Sequence, residues 1–126
     1  RFDPMSFPSI LSSAGVVEDS SYGYAETIGW RASCTYPYYL FDLMHQCSTT
    51  VLEVPLCAMD VSIFSSRYMN QPSPDAILEV LKSLIPIIEQ HGGVYCLLWH
   101  NDSLAKTGYD KVYKEILHEL SQRLNG

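Results

Sequence analysis

His100 is the residue of this sequence whose type and position best suit proton-transfer chemistry. It follows an apolar and aromatic run, residues 94–99 (VYCLLW), which predicts a strand buried on both faces, as in a parallel sheet. Binding and catalytic side chains of α/β proteins gather at the carboxyl ends of such strands. Because a histidine titrates near neutral pH, we expect His100 to act as a general acid, with a hydrogen-bonded structural role as the alternative.

Charged residues near the ends of other predicted segments could lie beside His100. A carboxylate next to an imidazole fixes the tautomer of the ring. The candidate partners are Arg1, Asp19, Arg31, Glu53 and Asp60. The remaining histidines, His45, His91 and His118, show no recognisable metal-ligand spacing, so we predict no metal site within the chain.

Composition and motif content exclude several classes of function. The net charge is −6 with only 8 Lys and Arg residues, so a nucleic-acid-binding surface is not expected. No apolar stretch approaches the roughly 20 residues that span a bilayer, so no membrane span is expected. The sequence has no glycine-rich phosphate loop, HExxH pair or GxSxG elbow, which leaves nucleotide binding, zincin proteolysis and ordinary serine hydrolysis without support.

The cysteines and the first residue bear on the setting of the protein. Cys34, Cys47, Cys57 and Cys96 show no CxxC spacing, so neither a zinc knuckle nor a redox pair is indicated. Two disulfides or four thiols both fit the count, and we expect reduced thiols and a cytoplasmic location. Because the chain starts at Arg1 within a polar stretch, we expect it to be a fragment or a processed product.

The pattern of apolar residues predicts a single α/β unit over residues 1–126. We expect helices at 2–14, with a stop at Gly15, and at 73–91, with a cap at Ser73 and a kink or break at Pro86. A last amphipathic helix should bury one face. That face comprises Tyr109, Val112, Tyr113, Ile116, Leu117, Leu120 and Leu124. Strand character is expected at 27–34, 51–57 and 59–64, and an irregular aromatic segment at 36–39.

Several segments, taken in chain order, resemble the C-terminal half of the NodB-homology polysaccharide deacetylases. The likeness is greatest to the branch associated with bacterial surface-polysaccharide biosynthesis. The segments are Arg1 with the helix ending in Ala14 and Gly15, residues 18–24 (EDSSYGY), 29–32 (GWRA), 55–60 (PLCAMD) and 97–101 (LLWHN).

The resemblance implies a partial (β/α) barrel and the hydrolysis of an N-acetyl group on a sugar or polysaccharide. It implies a divalent metal, usually zinc, held by an Asp and two His in N-terminal motifs that this chain lacks. The metal ligands are therefore expected upstream, in a missing N-terminal half of the same domain. The chain alone should then be inactive, because half a barrel lacks the metal site and exposes unpaired strand edges.

The resemblance also implies roles for individual residues. Arg1 is similar to the family's arginine that orients the catalytic carboxylate. His100 is similar to the histidine that protonates the leaving amine, and Asp19, Arg31 and Trp99 would line the substrate pocket.

Two other functions remain open at this point. The first is a non-catalytic carbohydrate-binding or scaffold module that presents an aromatic platform to sugars. Its rings would be Tyr22, Tyr24, Trp30, Tyr36, Tyr38 and Tyr39. The second is a metal-dependent hydrolase of another barrel family whose ligands also lie upstream.

Overall fold

Two small sheets and five α-helices make up the part of the chain that the computed structural model describes, residues 3–124. The helices are α1 (Phe7–Ser13), α2 (Asp60–Phe64), α3 (Pro74–Lys82), α4 (Ile85–His91) and α5 (Tyr109–Leu124). The strands are β1 (Glu18–Asp19), β2 (Tyr38–Asp42), β3 (Cys47–Glu53), β4 (Leu56–Met59) and β5 (Cys96–Leu98). A 3₁₀ helix, Asn101–Ala105, follows β5.

The two sheets differ in strand direction. The first has the order β1-β3-β2, with β1 parallel and β2 antiparallel to β3. The second pairs β4 with β5 in parallel. The strands of residues 3–124 do not close into a barrel, so the partial (β/α) barrel stays a prediction.

The core lies where α3, α4 and α5 cover the β4–β5 sheet. Ile77, Leu81, Ile85 and Ile116 are fully buried there. Residues 77 and 81 are one helical turn apart, so α3 turns a continuous apolar stripe inward. Because α5 is the longest helix and packs against α3 and α4, it closes this core.

The segment after residue 73 confirms the predicted helix start and the break at Pro86. The hydroxyl of Ser73 accepts the N–H of Ala76 at 3.2 Å, a cap that contributes about 1 kcal/mol. The helix ends at Lys82, and α4 begins with Pro86 in its first turn. A proline is tolerated there because the first helical N–H groups have no partner within the helix.

Predictions for the other helices were partly right. The first helix begins at Phe7, later than expected, and ends before Gly15, whose φ of +74° suits a helix stop. On the predicted buried face of α5, Tyr109 and Ile116 are buried, whereas Leu117 is 45% exposed.

The predicted strand at 27–34 is wrong, because the chain forms turns there. Gly29 has a φ of +114° and Ser33 a φ of +53°, and strands do not continue through such left-handed positions. The N–H of Gly29 donates instead to the carbonyl of Cys57 at 2.7 Å. This bond fastens the turn to the start of β4, next to Trp30, which lies in the core.

Two further segments also differ from their predicted structures. Residues 59–64, rich in β-branched side chains, leave β4 at Met59 and continue as α2 from Asp60. An acidic residue in the first turn favours that helix. The aromatic segment predicted to be irregular contributes Tyr38 and Tyr39 to β2.

The strand before His100 is shorter and less buried than predicted. It spans Cys96–Leu98, and Leu98 is 42% exposed. In the described part of the chain β5 pairs with β4 along one edge, so only part of its surface is covered. The strand still delivers His100 to the carboxyl end of a parallel pair.

Candidate active site around Asp60 and His100

Parallel pairing of β4 and β5 brings Asp60 and His100 together. Met59 and Leu98 are register partners at the ends of the two strands. Asp60 is the next residue after Met59, and His100 lies two residues after Leu98. The two side chains therefore meet at the carboxyl edge of the sheet, where α/β proteins form their sites.

Asp60 contacts both the ring and the backbone of His100. Nδ1 of His100 lies 2.6 Å from Oδ1 of Asp60, and the backbone N–H of His100 donates to Oδ2 at 3.1 Å. Oδ1 also accepts the N–H of Val61 at 2.7 Å. Because the carboxylate acts as the acceptor in these contacts, we place the ring hydrogen on Nδ1, which leaves Nε2 for exchange with a ligand.

The two members of the pair differ sharply in exposure. Asp60 is completely buried, whereas the side chain of His100 is 42% exposed. A buried carboxylate is costly unless it is hydrogen-bonded or paired with a positive group. Two backbone N–H groups and the His100 ring supply those hydrogen bonds, and the exposed side of the imidazole leaves Nε2 accessible to a ligand. Asp60 was one of the five partners that the sequence suggested.

A second carboxyl pair lies at the end of the other sheet. Asp19 and Glu53 are register partners at the carboxyl ends of the parallel strands β1 and β3. Glu53 is completely buried, and its Oε1 accepts the N–H of Tyr22 at 3.0 Å. Burial raises the pKa of Glu53 to about 8, and the neighbouring Asp19 contributes in the same direction. Glu53 is therefore mostly protonated at neutral pH, and its neighbour across the strands is Asp19 rather than His100.

Arg31 lines a cleft of about 830 Å³, which we call the Arg31 cleft. Its guanidinium stacks on the ring of Tyr22, 4.9 Å from the centroid, and Nη1 donates to the carbonyl of Gly23 at 3.4 Å. The other charged or polar side chains of the cleft are Asp3, Ser21, Tyr24 and Glu26. With one cation and two carboxylates, this lining suits a neutral polar ligand better than an anion.

Asp19 lies next to the Arg31 cleft through Ser21. Oδ2 of Asp19 accepts the N–H of Ser21 at 3.0 Å, and Oδ1 accepts the Ser21 hydroxyl at 2.9 Å. Ser21 itself lines the cleft. Two of the predicted substrate-binding residues, Asp19 and Arg31, therefore both contact the short segment of residues 21–23.

The remaining predicted site residues lie elsewhere. The indole of Trp99 packs against the core, with its centroid 5.5 Å from that of Tyr113. The predicted role of Trp99 in the substrate pocket has no support from this contact. Arg1 lies outside the described residues.

Sequence reasoning left His45 uninterpreted, and the structure places it beside Ser9 and Asp42. The three residue types match a hydrolytic triad, but the geometry does not. The Ser9 hydroxyl and the Asp42 carboxylate both contact the same ring atom, Nδ1 of His45, at 3.2 and 2.7 Å. In a triad the serine and the acid contact opposite nitrogens. Hydrogen bonding, chiefly from Ser9, lowers the pKa of Asp42, as expected for a carboxylate that stabilises a turn.

The six aromatic residues of the predicted sugar platform do not share one surface. Trp30 is buried in the core, and Tyr39 is 63% exposed on the strand that also carries the half-buried Tyr38. Tyr22 and Tyr24 adjoin the Arg31 cleft. A platform, if one forms, involves this pair.

Other features of the described residues limit the chemistry of the site. All four cysteines are free thiols, as predicted. No three His, Cys, Asp or Glu side chains within residues 3–124 lie together in a way that could hold a metal ion. None of the helices described here has the length and apolar character needed to cross a membrane.

Comparison of the chain with protein-family models, curated proteins and solved structures gave no significant match.

Proposed function

We propose that the chain is part of a metal-dependent sugar or polysaccharide N-deacetylase of bacterial surface-polysaccharide metabolism, with His100 as the general acid. The observation that supports this most directly is the contact of 2.6 Å between His100 Nδ1 and the buried Asp60. The resemblance of five segments to NodB-homology deacetylases supplies the substrate class.

The chemistry assigned to His100 follows from the bond that must break. In amide hydrolysis, water adds its oxygen to the acetyl carbon, and the C–N bond of the resulting tetrahedral species then breaks. The nitrogen leaves as an amine only after it gains a proton, and His100 donates this proton from Nε2. The hydrogen on Nδ1 stays bonded to Asp60, so His100 returns to its neutral form with the correct tautomer.

The described residues offer no ligand set for the divalent metal that the resemblance implies. The described chain holds no group of three ligands, and both oxygens of Asp60 are engaged by protein hydrogen bonds. When bound, such a metal would supply Lewis-acid activation of water. Its ligands would lie upstream of this chain, and the role of His100 does not require it to bind the metal.

The test is acetate release from N-acetylglucosamine oligomers by the full-length natural protein. His100→Ala should lower kcat by about 10²–10⁴, the contribution of a positioned acid, while the fold and the bound metal are retained. His118→Ala, which changes an exposed histidine on α5, is the matched control and should leave kcat unchanged. Unaltered acetate release by His100→Ala would rule out the proposed acid.

Sugar binding without catalysis is a second function, and the Arg31 cleft favours it. Tyr24 offers a ring, and Ser21, Glu26 and Arg31 offer hydrogen-bonding groups around it, the combination that recognises sugar hydroxyls. Under this alternative, Arg31→Ala should weaken oligomer binding in a calorimetric titration, His100→Ala should leave binding unchanged, and no variant should release acetate.

A further inference from the structure

The segment of residues 20–24 is held at two points by the carboxyl groups of Asp19 and Glu53. Asp19 accepts the N–H and the hydroxyl of Ser21, and Glu53 accepts the N–H of Tyr22. These two neighbouring residues are therefore attached to two different strands, β1 and β3. The same segment contributes Ser21, Gly23 and Tyr24 to the Arg31 cleft.

The two carboxyl groups are too close and too deeply placed for both to ionise without cost. They are register partners on one face of adjacent parallel strands, and Glu53 is fully buried. Two neighbouring carboxylates repel, and burial further disfavours the charged form. No ion pair within residues 3–124 joins Glu53 to a cation. Protonation of Glu53, whose Oε2 has no hydrogen-bond partner within the described residues, removes the repulsion.

We propose that the Asp19–Glu53 pair is a pH-sensitive switch that holds residues 20–24 in place when Glu53 is protonated and releases Ser21 when Glu53 is ionised. Loss of the proton leaves Glu53 fixed by burial and by the N–H of Tyr22. Asp19 is only half-buried, so repulsion turns its side chain toward water. Ser21 then loses its acceptor, and one wall of the Arg31 cleft moves.

The other groups around Glu53 do not titrate over the same range. Tyr38, its register partner on β2, has its pKa raised to about 12 by burial and, to a smaller degree, by Glu53. Burial also raises the pKa of Cys96 on β5, and the charges of Glu53 and Glu18 add to that shift. Tyr38 therefore stays neutral from pH 7 to 9, and the shift at Cys96 is away from this range, while the pKa of Glu53 is about 8.

The test is a ¹³C and ¹⁵N NMR titration of the full-length natural protein. We expect the Glu53 carboxyl carbon to titrate with a midpoint near pH 8, and the Ser21 resonances to shift with the same midpoint. Glu53→Gln keeps the acceptor for Tyr22 and remains neutral, so Ser21 should show no transition in that range. Glu18→Gln, which changes an exposed carboxyl on the same strand, is the control and should behave as the wild type.

A further variant keeps the proposal testable if Glu53→Gln does not fold. Asp19→Asn removes the neighbouring charge, so the midpoint of Glu53 should move down toward its ordinary value. Two outcomes would overturn the proposal. One is a Glu53 midpoint in the wild type at the ordinary acidic value, and the other is a Ser21 transition near pH 8 that persists in Glu53→Gln. Neither outcome depends on whether the protein is a deacetylase.

Discussion

Asp60 accepts hydrogen bonds from both the ring and the backbone of His100, at 2.6 and 3.1 Å. One buried carboxylate therefore fixes the position of the histidine and the nitrogen that carries its hydrogen. The bond to the backbone holds the chain where it leaves β5, and the bond to Nδ1 fixes the ring. A carboxylate that was not held in place by the fold would lose translational and rotational freedom each time it bound the imidazole.

Asp60→Asn tests whether the negative charge of Asp60 contributes to the reaction beyond holding His100 in place. The amide is nearly isosteric with the carboxylate but carries no charge, so it stabilises a protonated His100 less and no longer selects one tautomer. We expect kcat for acetate release to fall by about 10²-fold, the lower end of the contribution of a positioned acid, with little change in KM. The ¹⁵N shifts of the His100 ring should show a mixture of the two tautomers.

Asp102→Asn is the control for the loss of a carboxylate near His100. Asp102 is exposed in the 3₁₀ helix that follows the histidine, and its replacement should alter neither kcat nor the ring ¹⁵N shifts. A merely structural role for Asp60 would lower stability in Asp60→Asn but would leave the tautomer of the folded protein unchanged.

The sequence was sufficient to select His100 and to include Asp60 among its partners, but not to pair them. Pairing depends on the register of β4 with β5, which joins residues about 40 positions apart, and local patterns carry no information on such long-range register. The β-branched residues after Met59 favour a strand by their local propensity. The segment from Asp60 nevertheless forms α2, because packing can outweigh local propensity.

The Asp19–Glu53 pair was missed for a related reason. Each residue is an acid near the end of a short β segment, which suggests a partner for His100, and the resemblance adds a place for Asp19 in the substrate pocket. Parallel pairing of β1 with β3 brings them side by side instead. Helix features were predicted better, because the cap at Ser73 and the break at Pro86 arise from residues in contact along the chain.

Glu53 should make the protein less stable as the pH rises. Its pKa is about 8 when folded and has an ordinary value of 4.5, so the folded state binds the proton more tightly. The stabilisation is complete below pH 4.5 and is lost as the pH rises to about 8. Within this window the free energy of unfolding should fall by at most about 1.4 kcal/mol per pH unit, which urea titrations at several pH values can measure.

Glu53→Gln should remove this dependence, because the amide stays neutral at every pH. The difference in the free energy of unfolding between the variant and the wild type should therefore shift in favour of the variant between pH 5 and pH 9. Parallel stability curves for the two proteins over this range would show that Glu53 has an ordinary pKa in the folded state.

Ile116 and Leu117, adjacent on α5, should respond very differently to truncation. Ile116 is fully buried in the core, whereas Leu117 is 45% exposed. Ile116→Ala removes buried methyl groups and leaves a cavity, so the free energy of unfolding should fall by about 2–5 kcal/mol. Leu117→Ala should change it by no more than about 0.5 kcal/mol. Urea denaturation followed by circular dichroism measures both, and equal losses would show that α5 presents a different face to the core.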